Sequence, residues 1–244
     1  MPTLSIIIPC KNEEEHLPRL LKSIKRQTFT DYEIIVSDAQ SDDRTREIAK
    51  SFGARVVEGG MPGPGRNAGA LHAKGAFLLF LDADVVLESE HYLDDVLKEF
   101  QKRNVSLATC DVKPDSPLIV DRVLHGTYNA FVRATERVHP HTPGMCMLVR
   151  RDLHHKIGGF DEDVPYAEDL DYALRVFRSG HKVRVMKSHP ILTSVRRLER
   201  DGRLGTMRKY LYTKWHMITK GSFKHQPFEY EMGGFKKKDA AAKK

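Results

Sequence analysis

From Leu4 onward, short unbroken apolar runs alternate with amphipathic segments at a regular pitch, and few folds accept that alternation. Residues 4–8 (LSIII) show no polar and apolar alternation, so they read as a strand covered on both faces, the sign of parallel pairing. Asn12 can cap the next segment, with Glu15 three residues on. Leu17, Leu20, Leu21 and Ile24 then recur at helical spacing, and Pro18 is tolerated only in a first turn. Residues 33–37 (EIIVS) give a second strand, 43–52 a second helix and 55–57 a short third strand. Such a β-α-β-α-β series, with right-handed crossovers, builds an α/β doubly wound, mainly parallel sheet flanked by helices.

Further along, 59–65 (GGMPGPG) reads as loop, 66–74 as helix, and 76–81 (AFLLFL) as the most apolar strand of the chain. The pattern then predicts helices at 92–101, 119–137 and 169–178, and strands at 106–110, 145–149 and 183–186. No internal repeat is present and no linker precedes about Ser188. The expected organisation is one domain over 1–190 and a basic, helical C-terminal extension with its tail over 191–244.

Hydrophobic residues make up 40% and charged residues 30%, with a mean hydropathy of −0.47, which fits a globular chain and not a disordered or fibrous one. No apolar run approaches the ~20 residues of a membrane-spanning helix. The start MPTLSIIIPCKNEEE lacks the basic region and cleavage site of a signal peptide, so a cytoplasmic location is expected. Cys10, Cys110 and Cys146 contain no C-x-x-C pair and read as buried thiols in a reducing compartment. The net charge of +7 is unevenly placed: residues 196–244 hold 14 Lys+Arg against 5 Asp+Glu, while residues 1–195 hold 26 against 28. A near-neutral body with a basic arm is unlike a nucleic-acid-binding module, so no nucleic-acid partner is expected.

Ligands of open parallel sheets bind beyond the carboxyl ends of the strands. Three expected strands end in polar, acid-bearing turns: Pro9-Cys10-Lys11-Asn12-Glu13, Asp38-Ala39-Gln40-Ser41 and Asp82-Ala83-Asp84. Asp38 alone would read as a turn residue. The D-x-D ends the most apolar strand, and its two carboxylates can approach one hard cation, Mg²⁺ or Mn²⁺. Such an ion completes its shell with waters and substrate phosphates, which implies a diphosphate-bearing ligand.

These residues resemble glycosyltransferase family 2, with its GT-A fold, over roughly residues 3–190. The resemblance rests on SIIIPCKNEEEHLPRLLKSI, EIIVSDAQSDDRTREIA, GPGRNAGALHAKGAFLLFLDADVVL and IGGFDEDVPYAEDLDYALR, in that order. It implies inverting transfer of a sugar from a nucleotide-sugar, UDP- or GDP-linked, to an acceptor hydroxyl, with a divalent metal. By position it implies Pro9, Lys11 and Glu13 at the nucleoside, Asp38 accepting a hydrogen bond from the base, and Arg66 near the nucleotide or its phosphates. Asp82 is implied at the ribose or metal, Asp84 on the metal, and Asp169 as catalytic base with Glu168 able to exchange roles. Lys11 departs from the aromatic common at its place, and Ala39, Gln40, Asp42 and Arg44 replace the usual Gly and Thr elements.

Outside the resemblance, Glu168-Asp169 is also a favourable acidic first turn for a helix. His189 follows the last expected strand as a candidate third metal ligand, and His139 and His141 mark an acceptor-side loop. In the arm, Leu204, Met207, Leu211, Trp215 and Ile218 recur at helical spacing among basic residues. That face either packs on the body or meets an anionic membrane, where a lipid-linked acceptor would be found; a glycan is the other acceptor class. Arg196 and Arg197 could instead hold donor or acceptor phosphates. Lys236–238 and Lys243-Lys244 read as a solvated tail. Two rival functions remain, a nucleotidyltransferase and a membrane-surface or nucleic-acid binding protein using the basic arm. The former would prefer a glycine-rich, lysine-bearing loop where PCKNEEE stands.

Overall fold

The computed structural model describes residues 1–228 and 233, so the lysine-rich tail lies outside the described residues. Strands β1 (Leu4–Cys10), β2 (Tyr32–Asp38) and β3 (Arg55–Glu58) are parallel and joined by α1 (Leu17–Lys25) and α2 (Thr45–Ser51). Helix α3 (Pro62–Leu71) leads to β4 (Phe77–Leu81), which pairs parallel with β1 on its free side. The chain continues through β5 (Val85–Val86), α4 (Tyr92–Lys102), β6 (Leu107–Pro114), α5 (Ile119–Thr135), β7 (Cys146–Arg150) and α6 (Arg151–Lys156). It closes with α7 (Glu168–Arg178), β8 (Val183–Thr193), α8 (Arg196–Asp201) and α9 (Arg203–Thr219). The eight strands form one sheet in the order β3-β2-β1-β4-β7-β6-β8-β5. It is parallel from β3 to β4 and mixed beyond, because β7 runs antiparallel to β4 and β6, and β5 to β8.

Every residue of β1 and β4 is buried, as unbroken apolar runs require when helices cover both faces. Ile6 and Ile8 pack with Leu17, Leu20 and Leu21 of α1 and Leu93 and Val96 of α4, while Ile7 and Phe80 pack with Phe160 and Tyr172 on the opposite face. Each such side chain contributes about 1.5–3 kcal/mol of burial. Gly69 lets α3 lie flat on β1: a Cβ there would stand 2.3 Å from Ile7 Cγ2.

Several local expectations are corrected. Asn12 does not cap α1; it takes a left-handed conformation, its N–H donates to Ser41 Oγ at 2.8 Å, and its Oδ1 accepts from the Asp42 N–H at 2.8 Å. It thus ties the loops after β1 and β2 together, a use asparagine suits. Helix α3 begins at Pro62, inside the segment read as loop, because proline is preorganised for a first turn. Strand β8 runs to Thr193 instead of ending at Met186, since β6 supplies a partner along that length across a bulge, and position 190 therefore lies inside a strand. Among the described residues no helix is long and apolar enough to cross a membrane.

Helix α9 presents the apolar stripe foreseen from its spacing to the outside. Leu204 is 80% and Leu211 65% exposed, and Met207, Trp215 and Ile218 are also exposed. The face turned inward carries Thr206, Thr213 and Met217. Met217 joins Leu170, Leu174 and Phe223 in a small cluster that fixes α9 to α7.

Candidate active site

Arg66 projects from α3 into the protein and is only 2% exposed. Its Nη1 donates to Glu168 Oε1 at 2.6 Å, and its Nη2 donates to Asp82 Oδ1 at 2.9 Å and to the Gly144 carbonyl at 3.1 Å. The guanidinium also lies over the Phe160 ring, 5.4 Å from its centre. Burial opposes its charge, but Asp82, Glu168 and Asp169 outweigh burial and push its pKa above the ordinary arginine value. One buried cation thus joins the end of β4 to the start of α7.

Asp169 stands in the first turn of α7, after Ala167 in a left-handed conformation that costs a residue with a Cβ about 1–2 kcal/mol. Its Oδ2 accepts from the Gly144 N–H at 2.7 Å and its Oδ1 from the Leu170 N–H at 2.8 Å. Burial, then the Glu168 charge, push its carboxyl up to about 7, against the opposing pull of Arg66 and the two backbone donors. Gly144 is required here: a Cβ would stand 2.7 Å from Arg66 Nη2 and 3.2 Å from Asp169 Oδ2.

A second arginine serves the other carboxylates. Arg196, at the start of α8, donates from Nη1 to Glu13 Oε2 at 2.9 Å and from Nη2 to Glu13 Oε1 at 2.6 Å, and its Nε lies 3.1 Å from Asp84 Oδ2. Burial raises Glu13 to about 7 despite Arg196, with Asp84 and Asp82 adding to the rise. Burial likewise raises the Asp84 carboxyl, with Arg196 opposing. Side-chain exposure is 38% for Asp82 and 14% for Asp84, so the former faces the opening more fully.

A cavity of about 460 Å³ lies over these groups. Pro9, Glu13, Asp82, Asp84, Arg196 and Arg197 line its inner part, and side chains of α5 and α9 its outer part. Arg66, Glu168 and Asp169 form the adjoining cluster, linked to the lining through Asp82. Lys11, just after β1, and Asp38, the last residue of β2, do not line the cavity; the buried Asp38 carboxylate accepts from the Ser41 N–H at 3.0 Å and from its hydroxyl.

His189 is corrected as a metal ligand. Because β8 continues past Met186, His189 is carried along the sheet to α4, where its Nε2 lies 2.7 Å from Asp95 Oδ2. Among the described residues, no three His, Cys, Asp or Glu side chains gather to hold a metal. The D-x-D itself offers two hard carboxylates at one cleft, which fits a cation that draws the rest of its shell from water and a diphosphate.

The roles of Gly144 and Phe160 were not foreseen, because their partners lie 78 and 94 residues away at Arg66. The His139–His141 loop does reach the cleft. His141 lines it, with Nε2 3.0 Å from the Tyr128 hydroxyl, and burial pulls its pKa down to about 3. His139 instead accepts from Lys214 Nζ at 2.9 Å.

Residues 5–158 match the family described as Glycosyl transferase family 2; Glu168, Asp169 and the basic arm lie beyond the matched stretch. A 4,4'-diaponeurosporenoate glycosyltransferase of Staphylococcus haemolyticus is 37% identical over 110 residues, 41% of this chain and 29% of that protein. The uncharacterized glycosyltransferase EpsJ of Bacillus subtilis is 28% identical over 214 residues, 76% of this chain and 59% of that one. The chain therefore spans less than two thirds of the length of these relatives. Among solved structures, S. aureus TarS 1-349 in complex with UDP aligns with a TM-score of 0.64 at 21% identity, over 80% of this chain and 61% of that one. The mannosyltransferase PcManGT of Pyrobaculum calidifontis, in complex with GDP-Man and Mn²⁺, aligns with a TM-score of 0.66 at 22% identity, over 80% and 57%. Those likenesses establish a fold shared with GT-A glycosyltransferases. With its β-α-β-α-β start, its D-x-D at the end of β4 and the family match over most of its sheet, the chain belongs to glycosyl transferase family 2.

Proposed function

We propose that this glycosyltransferase moves a sugar, with inversion, from a UDP- or GDP-linked donor to an acceptor hydroxyl, with Asp169 as general base. The observation that carries the reading is the Arg66 bridge, which makes the D-x-D and Glu168-Asp169 parts of one site. A carboxyl raised to about 7 is close to half ionised at neutral pH, the poise a general base needs. In the step, the acceptor hydroxyl gives its proton to Asp169 and its oxygen bonds to the anomeric carbon. The bond from that carbon to the diphosphate oxygen breaks on the opposite face, and the electron pair leaves with the nucleoside diphosphate. Glu168, engaged by Arg66, is the second carboxylate able to take the proton.

In this reading Pro9, Lys11, Glu13 and Asp38 serve the nucleoside, and Arg66, Arg196 and Arg197 the phosphates. Asp84 and Asp82 would hold Mg²⁺ or Mn²⁺, which when bound supplies charge neutralisation at the leaving diphosphate. Arg196 lies against Asp84 and Glu13, so it yields part of Asp84 when donor and cation enter. The outward stripe of α9 supports a peripheral contact with an anionic membrane, at the inner face for a cytoplasmic protein, each nearby basic residue adding about 1 kcal/mol. There the enzyme would meet a lipid-linked acceptor in preference to a free glycan.

Calorimetry with UDP and GDP, with Mn²⁺ or with EDTA, tests the donor site. The expected result is Mn²⁺-dependent binding of one of them, weakened at least tenfold in Asp84→Ala. Unchanged affinity and unchanged metal dependence in that variant would remove Asp84 from the metal site.

A further inference from the structure

We infer that the part of the cleft between α5 and α9 is a lipid groove that holds one long apolar chain of the acceptor with its nucleophilic end turned toward His141 and the loop that holds Asp169. The inference rests on the transferase reading and deepens it. Leu124, Tyr128 and Phe131 of α5 face Met207, Leu211 and Trp215 of α9 across the groove. The lining carboxylates are those at the sheet edge, where Glu13 and Asp84 are held by Arg196 and Asp82 by Arg66. His125, Arg203, Tyr210 and Lys214 also lie along this lining, but its larger share is apolar surface, which water covers at a cost and an apolar chain would cover instead.

The two helices are poor core elements. Of the 17 residues of α5 only Asp121 and Val132 are buried, and of the 17 of α9 only Thr206, Thr213 and Met217. The Met217 cluster fixes α9 to α7, and polar links join α9 to α5. Arg203 is paired bidentately with Asp121 at 2.7 and 2.9 Å, and the Lys214 ammonium lies 5.3 Å from the Phe131 ring centre. These links, with the Tyr128 and Tyr210 rings 5.9 Å apart, bridge the helices at points and leave the cavity of about 460 Å³ open beside them. Phe131, Met207, Leu211 and Trp215 are also exposed, so the groove is open along the face that carries the apolar stripe of α9, and a chain can enter sideways from a bilayer.

An independent observation points to the polar end of the ligand. His141 lines the cleft and is 8% exposed, and its Nδ1 has no hydrogen-bond partner among the described residues. A buried unpaired ring nitrogen is costly, and a hydroxyl at the head of the acceptor would satisfy it. The same loop carries Gly144, whose N–H holds Asp169. The head of a chain lying in the groove is therefore delivered to the loop that holds the base.

The test uses the full chain without vesicles and cis-parinaric acid, a fluorescent fatty acid, as probe. The expected result is saturable binding, displaced by n-alkanols from octanol to dodecanol with affinity rising about fourfold per added methylene. Leu211→Glu and Phe131→Glu should each weaken the probe at least tenfold while leaving binding of UDP and GDP unchanged. Non-saturable binding, displacement independent of chain length, or probe affinity untouched by both substitutions would overturn the groove. Chain binding without any nucleoside diphosphate binding would uphold the groove and sink the transferase reading; nucleotide binding without chain binding would do the reverse.

Discussion

Replacing Asp169 by asparagine should weaken the enzyme and remove a pH-dependent loss of stability. Burial, with the Glu168 charge, lifts the Asp169 carboxyl from 3.8 to about 7. A carboxyl raised on folding binds its proton more tightly in the folded chain than in the unfolded one. Its contribution to stability is complete below the unfolded value and is lost as pH rises through about 7. Between pH 5 and pH 8 the native chain therefore loses stability over the interval from 5 to about 7, which at about 1.4 kcal/mol per pH unit is about 3 kcal/mol. Asparagine cannot ionise and carries no such loss; its Oδ1 can accept the Gly144 N–H, while its amide nitrogen faces the Leu170 N–H at a cost that does not change with pH. Urea unfolding of both proteins at the two pH values gives the comparison, and other titrating groups such as Glu13 cancel in the difference. The expected outcome is an asparagine variant that gains about 3 kcal/mol on the native chain from pH 5 to pH 8, with turnover reduced roughly 10²- to 10⁴-fold. The same stability difference at both pH values, with turnover within tenfold of native, would refute the argument.

Three other substitutions probe the rest of the site and the arm. Arg66→Met strands Asp82 and Glu168 around an apolar side chain and should cost about 3 kcal/mol in urea unfolding; a loss below 1 kcal/mol would mean that the bridge matters little. Gly144→Ala places a Cβ 2.7 Å from Arg66 Nη2 and 3.2 Å from Asp169 Oδ2, so steady-state kinetics should show kcat reduced at least tenfold, with nucleoside diphosphate affinity also lowered because Arg66 is displaced; kinetics and affinity both within twofold of native would mean that the site tolerates the methyl group. The full chain should co-sediment with anionic vesicles at low salt, less so at high salt, and Trp215→Glu should reduce the bound fraction. Equally poor binding to anionic and neutral vesicles would leave the arm without a membrane role.

The sheet was legible in the sequence wherever periodicity is local. Residues 4–8 and 76–81 are apolar without alternation because both faces of β1 and β4 are covered, and the D-x-D stood out because it ends the more apolar of the two. What long-range pairing decides was not legible. β8 gains its last residues from β6, which moves His189 to Asp95 of α4, and nothing near His189 in the chain signals that. The α9 spacing told which residues share a face but not which way the face turns; Met217 against Leu170 and Leu174 decides that. Likewise Arg66 was picked out as near the nucleotide, whereas its bond to Glu168 spans 102 residues and depends on the bare backbone of Gly144.

The most direct test of the account is the first product released from the donor, since water can stand in for an absent acceptor. UDP-GlcNAc and GDP-Man are each incubated with the protein and Mn²⁺ and followed by proton NMR from the first minutes, before the free sugar equilibrates. With one of them the anomeric carbon is expected inverted in the free sugar, alongside the nucleoside diphosphate, and Asp169→Asn is expected to slow this release. A retained anomer would contradict single displacement, and a sugar 1-phosphate with a nucleoside monophosphate would place the cleavage at the diphosphate and contradict sugar transfer altogether.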